Sequence, residues 1–162
     1  MTKGLASKGF GIIEVMVALV VIAIGALGMA GLHTRSLQYN QVAYFHSQGL
    51  ILATDILDRI RLNKSVALSQ SRYQVGADDE IPLACADQHY PDSCETGLCN
   101  PEQLADYDIK QWKFQLHCQL PDASGVITYE EIASGRLYVI TLKFDKNEKA
   151  ITAGDLIVRG AI

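Results

Sequence analysis

The hydrophobic positions of this chain are concentrated in one run near the amino end. Residues 10–32 read FGIIEVMVALVVIAIGALGMAGL, with a single charged residue, Glu14. As a helix this run is about 35 Å long at 1.5 Å per residue, which exceeds the ~30 Å hydrocarbon layer of a bilayer. Lys3 and Lys8 precede it, and basic residues favour the cytoplasmic side. No small-residue cleavage site follows closely, as it would after a secretory signal peptide. The pattern predicts a retained membrane helix, with the rest of the chain outside the cytoplasm.

Beyond residue 32 the apolar positions recur at steps of three and four residues. They are Val42, Phe45, Gly49, Leu52, Ile56 and Ile60, with polar and charged residues between them. This is the pattern of an amphipathic helix. Since no proline precedes Pro82, one continuous helix of about 80 Å is predicted from about Phe10 to about Asn63. Its first half suits lipid on all sides, and its second half suits packing against a globular head.

The remainder of the chain predicts a loop and a second helix. Residues 65–99 are polar and irregular, which indicates a long loop. The run Asn100-Pro101-Glu102-Gln103 has an N-cap, a first-turn proline and a capping-box glutamine, so a helix begins there and ends at Pro121. Alternation from Trp112 to Leu120 would also fit a strand, but the start signal and the length favour a helix.

The carboxyl-terminal part predicts an antiparallel sheet. Three short runs are rich in Val, Ile, Tyr and Thr and are separated by turn-like segments: Gly125–Glu131, Arg136–Phe144 and Asp155–Ile162. The predicted fold class is therefore α+β, with a long amino-terminal helix laid against a small antiparallel β-sheet.

The cysteines agree with export from the cytoplasm. Cys85, Cys94, Cys99 and Cys118 all follow the membrane segment, and in an oxidising compartment four cysteines form two disulfides with three possible connectivities. We favour Cys94–Cys99 and Cys85–Cys118. A zinc site that includes His89 is the alternative, but the chain lacks the paired C-x2-C spacing of structural zinc.

Composition argues against several functions. The chain carries 14 basic and 18 acidic residues, a net charge of −4, so a nucleic-acid binder is disfavoured. Its four histidines, at positions 33, 46, 89 and 117, are scattered and compose no catalytic triad. Asp145–Glu148 resembles the opening of a calcium loop but lacks the rest of an EF-hand, and a hairpin turn explains it. We expect no enzyme activity, cofactor or metal.

The residues around the start of the apolar run carry a specific resemblance. The segment KGFGIIEVMVAL, Lys8–Leu19, closely resembles the processing site of type IV prepilins and pseudopilins. A basic leader ends in Gly9, Phe10 follows, and Glu14 stands four residues later. Gly11 and Ile12 depart mildly from the usual residues after the phenylalanine.

The resemblance implies a type IV pilin fold and a processing pathway. A prepilin peptidase would cleave between Gly9 and Phe10, and the new amino group of Phe10 would be N-methylated. Glu14 would then meet the amino terminus of a neighbouring subunit and set the register of assembly. The alternative is an acid that snorkels to the nearby membrane surface, because a carboxylate within lipid is costly without a partner.

A narrower resemblance is to the PilV-type minor pilins. It covers the segments Ala23–Leu32, Leu52–Asn63, Cys99–Trp112 and Leu120–Ile127. It implies a minor pilin that helps to initiate or support pilus assembly near the fibre tip. Its partners would be other minor pilins, the major pilin, an inner-membrane assembly platform and lipid. A minor pseudopilin of a type II secretion system, or an adhesin displaying the Cys85–Cys118 region, is the alternative.

The resemblance and the hydrophobic pattern together predict four parts of the chain. They are a leader (1–9), a transmembrane and assembly helix (10–32), the amphipathic half of the helix (33–64) and a periplasmic head (65–162).

Overall fold

The structure is a computed structural model that describes residues 11–77, 85, 94–120, 122–144 and 154–162. Its helices and strands are α1 (Ile12–Leu62), α2 (Lys64–Ser69), α3 (Pro101–Gln119), β1 (Ser124–Ile132), β2 (Gly135–Lys143) and β3 (Leu156–Ala161). The chain divides into two compact units, one up to Ala43 and one from Tyr44 to Ile162. The boundary falls within α1, just before its first partly buried residue, Phe45.

In the first unit, every residue of α1 from Ile12 to Ala43 is exposed. Large apolar side chains are uncovered there, such as Ile12 at 83% and Leu27 at 74% exposure. Helix α1 is long and apolar enough to cross a membrane. Val42, which the sequence pattern assigned to the packed face, is exposed, so that part of the prediction is wrong.

In the second unit, α1 buries one stripe against the head. The buried positions are Gly49, Leu52, Ala53, Ile56, Leu57 and Ile60, the three- and four-residue spacing of a helix face. The indole nitrogen of Trp112 on α3 donates a hydrogen bond to the carbonyl oxygen of Leu52 over 3.0 Å. The amphipathic half of the predicted helix is therefore confirmed from Phe45 onward.

Helix α2 corrects the expected loop at residues 65–99, since the chain turns at Asn63 and forms six more helical residues. Val66 and Ala67 of α2 are buried in the core. The hydroxyl of Tyr138 donates to the carbonyl oxygen of Ala67 over 2.8 Å, and Arg136 donates to the same oxygen over 2.9 Å. These contacts come from β2, so local sequence alone does not reveal the helix.

Helix α3 begins as the sequence predicts. Asn100 accepts a hydrogen bond from the backbone nitrogen of Gln103 over 2.8 Å, and the Gln103 side chain accepts one from the Asn100 nitrogen over 3.0 Å. This is the reciprocal capping box. Trp112 is buried, whereas Leu104, eight residues earlier on the same helix, is 37% exposed.

The strands form an antiparallel sheet in the order β1-β2-β3. A two-residue turn at Ala133 and Ser134 joins β1 to β2, where the sequence placed it. Gly125 lies under α3, where an added Cβ would sit 2.6 Å from Leu116. Each strand boundary lies one residue from its predicted position. The connection at 145–149 lies outside the described residues.

Candidate functional site

The predicted processing site is at the amino end. Gly9 and Phe10 lie outside the residues that the structure describes, so the cleavage site stays a prediction. Glu14 lies in the first turn of α1, and its backbone nitrogen donates to the carbonyl oxygen of Gly11 over 3.0 Å. The helix therefore begins immediately after the proposed junction, with an acid in its first turn.

Glu14 stands alone among apolar side chains. Its neighbours Ile13 and Val15 are 77% and 50% exposed, and no basic side chain of the described residues forms a salt bridge with it. A carboxylate in an apolar layer is costly unless it is paired. A cationic group from outside this part of the chain would lower that cost.

The four cysteines are joined in two disulfides, Cys85–Cys118 and Cys94–Cys99, each with a Cα–Cα distance of 5.4 Å. These are the pairs that the sequence favoured. All four sulfurs are consumed, so none is left as a thiolate for zinc. The Cys85–Cys118 disulfide joins Cys85 to the last turn of α3. The Cys94–Cys99 disulfide lies directly before Asn100, the N-cap of α3.

The short disulfide is also held by hydrogen bonding. Glu95, inside the Cys94–Cys99 ring, accepts a hydrogen bond from the hydroxyl of Tyr107 over 2.7 Å. Burial, together with this bond to a carboxylate, raises the pKa of Tyr107 to about 12. The ring is therefore fixed to the first half of α3 by its sequence neighbours and by this contact.

The disulfides have unequal expected effects on stability. Cys85–Cys118 closes a loop of 33 residues in sequence separation and Cys94–Cys99 one of 5. Loop-closure entropy then predicts that removing the long-range bond lowers the free energy of unfolding by about 4 kcal/mol, and the short one by about 2 kcal/mol. Urea unfolding of the two Cys→Ser double variants in detergent measures both. Equal losses, or four free thiols with bound zinc in the wild type, would contradict this.

A buried polar network joins α1, α3 and the segment after α2. Asp108, which is 3% exposed, accepts a hydrogen bond from the Tyr73 hydroxyl over 2.9 Å and one from Arg59 over 3.2 Å. Asn63 donates to the Tyr73 hydroxyl over 3.1 Å and to the carbonyl oxygen of Pro101 over 2.6 Å. The network fixes the end of α1 to the start of α3.

Burial dominates the electrostatics of this network. It raises the pKa of Asp108, and the hydrogen bonds from Tyr73 and Arg59 offset only part of that rise. The pKa of Tyr73 is also raised, first by burial and then by the Asp108 charge. This network was not predicted from the sequence. The available signal was Asp108 itself, an acid four residues after Leu104 and four residues before Trp112.

Replacing Asp108 with Asn tests the network. Two donors converge on the carboxylate, and an amide has one oxygen to accept them, so we expect Asp108→Asn to lower the free energy of unfolding by about 1–2 kcal/mol at pH 7. Because the folded-state pKa is raised, the native protein binds the Asp108 proton at higher pH than the unfolded chain does. The stability difference in favour of the wild type should therefore grow as the pH falls from 7 towards 4.

Chemical unfolding at several pH values measures this difference. The matched control is Asp106→Asn, which removes an exposed carboxylate of the same helix held by Arg72 and should change stability by less than about 0.5 kcal/mol. Parallel pH curves for wild type and Asp108→Asn would contradict the assignment.

The described residues contain no group of three His, Cys, Asp or Glu side chains that could hold a metal ion. The ring of His46 lies 4.3 Å from that of Phe144, centroid to centroid, whereas His33 and His117 are exposed. His89 and the Asp145–Glu148 segment, which the sequence analysis considered, lie outside the described residues.

Comparison with known proteins identifies the family. Residues 5–30 match the prokaryotic N-terminal methylation motif, and residues 31–110 match the family described as type IV pilin Tt1218. Neither the curated proteins nor the solved structures yield a match. The two matches adjoin and together run from the proposed leader to the first half of α3. With a long amino-terminal helix, a three-stranded antiparallel sheet and a disulfide-bonded head, the chain belongs to the type IV pilins.

Proposed function

We propose that the chain is a minor pilin of the PilV type, which helps to initiate or support pilus assembly near the fibre tip. The observation that carries the proposal is the uncovered apolar part of α1, with Glu14 in its first turn, directly after the methylation-motif junction. The segments Leu52–Asn63 and Cys99–Trp112, which resemble minor pilins of that kind, support the subtype.

In this proposal the chain matures at the membrane. The prepilin peptidase removes residues 1–9 on the cytoplasmic side, and Phe10 becomes the N-methylated first residue. Residues 10–32 span the inner membrane once, residues 33–64 continue the helix and residues 65–162 form a periplasmic head. The exposed apolar side chains of the helix support the membrane-spanning part of the proposal, because apolar surface is more stable in lipid than in water.

Assembly then uses the same helix. The assembly platform moves the subunit out of the lipid, and the apolar surface of residues 10–32 is transferred to a bundle of like helices from other minor pilins and the major pilin. Glu14 pairs with the amino terminus of a neighbouring subunit and sets the register. An opposite charge is favoured there because electrostatic attraction is stronger in a medium of low dielectric constant.

In this proposal the head has a structural role and not a catalytic one. The buried Asp108 network and the two disulfides fix α3 to the end of α1 and to the residues before it. A head fixed in this way presents constant surfaces to its neighbours. The role is structural, without catalysis, cofactor or nucleic acid.

A clean deletion, complemented with the wild-type chain, tests the proposal. The expected result is a marked loss of surface pili with unchanged protein secretion, and recovery on complementation. Lost secretion with normal pili would replace the proposal by a pseudopilin of a type II system. Abundant pili that no longer adhere would replace it by a tip adhesin.

A further inference from the structure

The outer edge of β3 is a strand edge with no partner among the residues that the structure describes. The register with β2 shows which backbone groups face outward. Arg136 and Ile162 exchange two backbone hydrogen bonds, of 3.2 and 2.9 Å, and hydrogen-bonded pairs alternate along an antiparallel ladder. The pairs Val139↔Arg159 and Thr141↔Ile157 are therefore the non-bonded ones.

The backbone groups of Ile157, Arg159 and Ala161 consequently point away from β2, towards the open edge. The side chains of the same three residues are exposed, whereas Gly160 is buried against α1, where an added Cβ would sit 2.6 Å from Leu57. One face of β3 is thus already packed. A strand edge that the described residues leave unpaired is a template for another strand.

Among antiparallel pairings of two β3 strands centred on residues 157, 158 or 159, the charges on this edge favour one register. In antiparallel pairing of β3 with a second β3, centring on Arg159 would place two arginines opposite each other, which is destabilising. Centring on Val158 would place Arg159 opposite Ile157. Centring on Ile157 pairs the two isoleucines and places each Arg159 opposite Asp155 of the other copy, giving two opposite-charge pairs.

We propose that two copies of this chain pair through β3, antiparallel and centred on Ile157, with Arg159 of each copy opposite Asp155 of the other. The outward backbone groups of Ile157 in the two copies then hydrogen-bond to each other across the twofold axis. The edge is self-complementary, as a twofold interface requires. This pairing goes beyond the proposed role in the pilus, because it concerns identical heads.

Cysteine cross-linking of the full-length protein in detergent micelles tests the register. Ile157→Cys places two sulfurs at the twofold axis, where paired residues lie about 5.5 Å apart between Cα atoms, within disulfide reach. A mild oxidant should therefore give a covalent dimer on a non-reducing gel. Arg159→Cys is the matched control, because its two copies would be four residues apart along the ladder, about 13 Å. It should give little dimer.

Charge reversal tests the partner. In the Ile157→Cys background, Arg159→Asp creates two like-charge pairs and should lower the dimer yield by about fivefold or more. Adding Asp155→Arg should restore it. Asp155 also has an interaction within its own chain, which the double variant loses, so the folding of that variant is checked as well. Circular dichroism, together with mass spectrometry that detects both native disulfides, checks that each variant is folded.

Two results would overturn the pairing: equal cross-linking at positions 157 and 159, or no dimer from a folded Ile157→Cys protein. Sedimentation of the wild type and of Arg159→Asp over a range of concentrations needs no added cysteine. The wild type should form dimers at lower concentration than the variant, and identical curves would also refute the proposal.

Discussion

Gly9→Val is expected to leave the chain unprocessed. A peptidase that cleaves after Gly9 needs a small residue with an accessible backbone, and valine is branched at Cβ and crowds the peptide bond. Intact-mass measurement of the membrane fraction should show the full precursor for the variant, whereas the wild type should begin at N-methylated Phe10. In the proposed pathway only the cleaved chain joins the fibre, so surface pili should not contain the variant.

The matched control is Gly4→Val, which makes the same change within the leader but away from the junction. It should be cleaved as the wild type is. Wild-type protein that still begins at Met1 in piliated cells would refute the prepilin assignment, and normal cleavage of Gly9→Val would move the junction elsewhere.

The second large effect is expected for Glu14→Gln. The substitution is nearly isosteric and removes the cost of placing a charge in lipid, so insertion and cleavage should be unchanged. In the proposed assembly it also removes the attraction to a neighbour's amino group, which would be strong in a medium of low dielectric constant. We expect about tenfold fewer surface pili at matched protein levels, the factor that corresponds to ~1.4 kcal/mol, and loss of co-purification with other minor pilins.

Glu130→Gln is the control for this variant, because Glu130 is an exposed carboxylate of β1 on the head. It should leave pilus number and partner binding unchanged. If Glu14→Gln is cleaved and inserted yet supports normal pili and normal partner binding, Glu14 snorkels to the membrane surface and the register mechanism is wrong.

The elements predicted best are those with local signals. Helix α3 was predictable because its capping box lies within four residues, and α1 because its apolar pattern continues without proline. Helix α2 was not predictable. It is six residues long, below the length at which an isolated helix is stable, and it depends on contacts from Arg136 and Tyr138 on β2.

The interior of the head also depends on contacts between residues that are distant in sequence, which local patterns do not predict. Asp108 meets Arg59 and Tyr73 across 49 and 35 residues of sequence, and no local pattern specifies such a meeting. Its place on an apolar stripe indicated only that a buried acid would need partners. For the processing residues the opposite holds. Gly9 and Phe10 are predicted from a local motif, but they lie outside the residues that the structure describes.

Mass spectrometry of sheared, purified pili tests the central claim most directly. A processed minor pilin should occur in the fibres with N-methylated Phe10 as its first residue, in far fewer copies than the major pilin, and should disappear from them in the Gly9→Val strain. A chain that is absent from wild-type fibres, and that keeps Met1 in the membrane, would contradict the account.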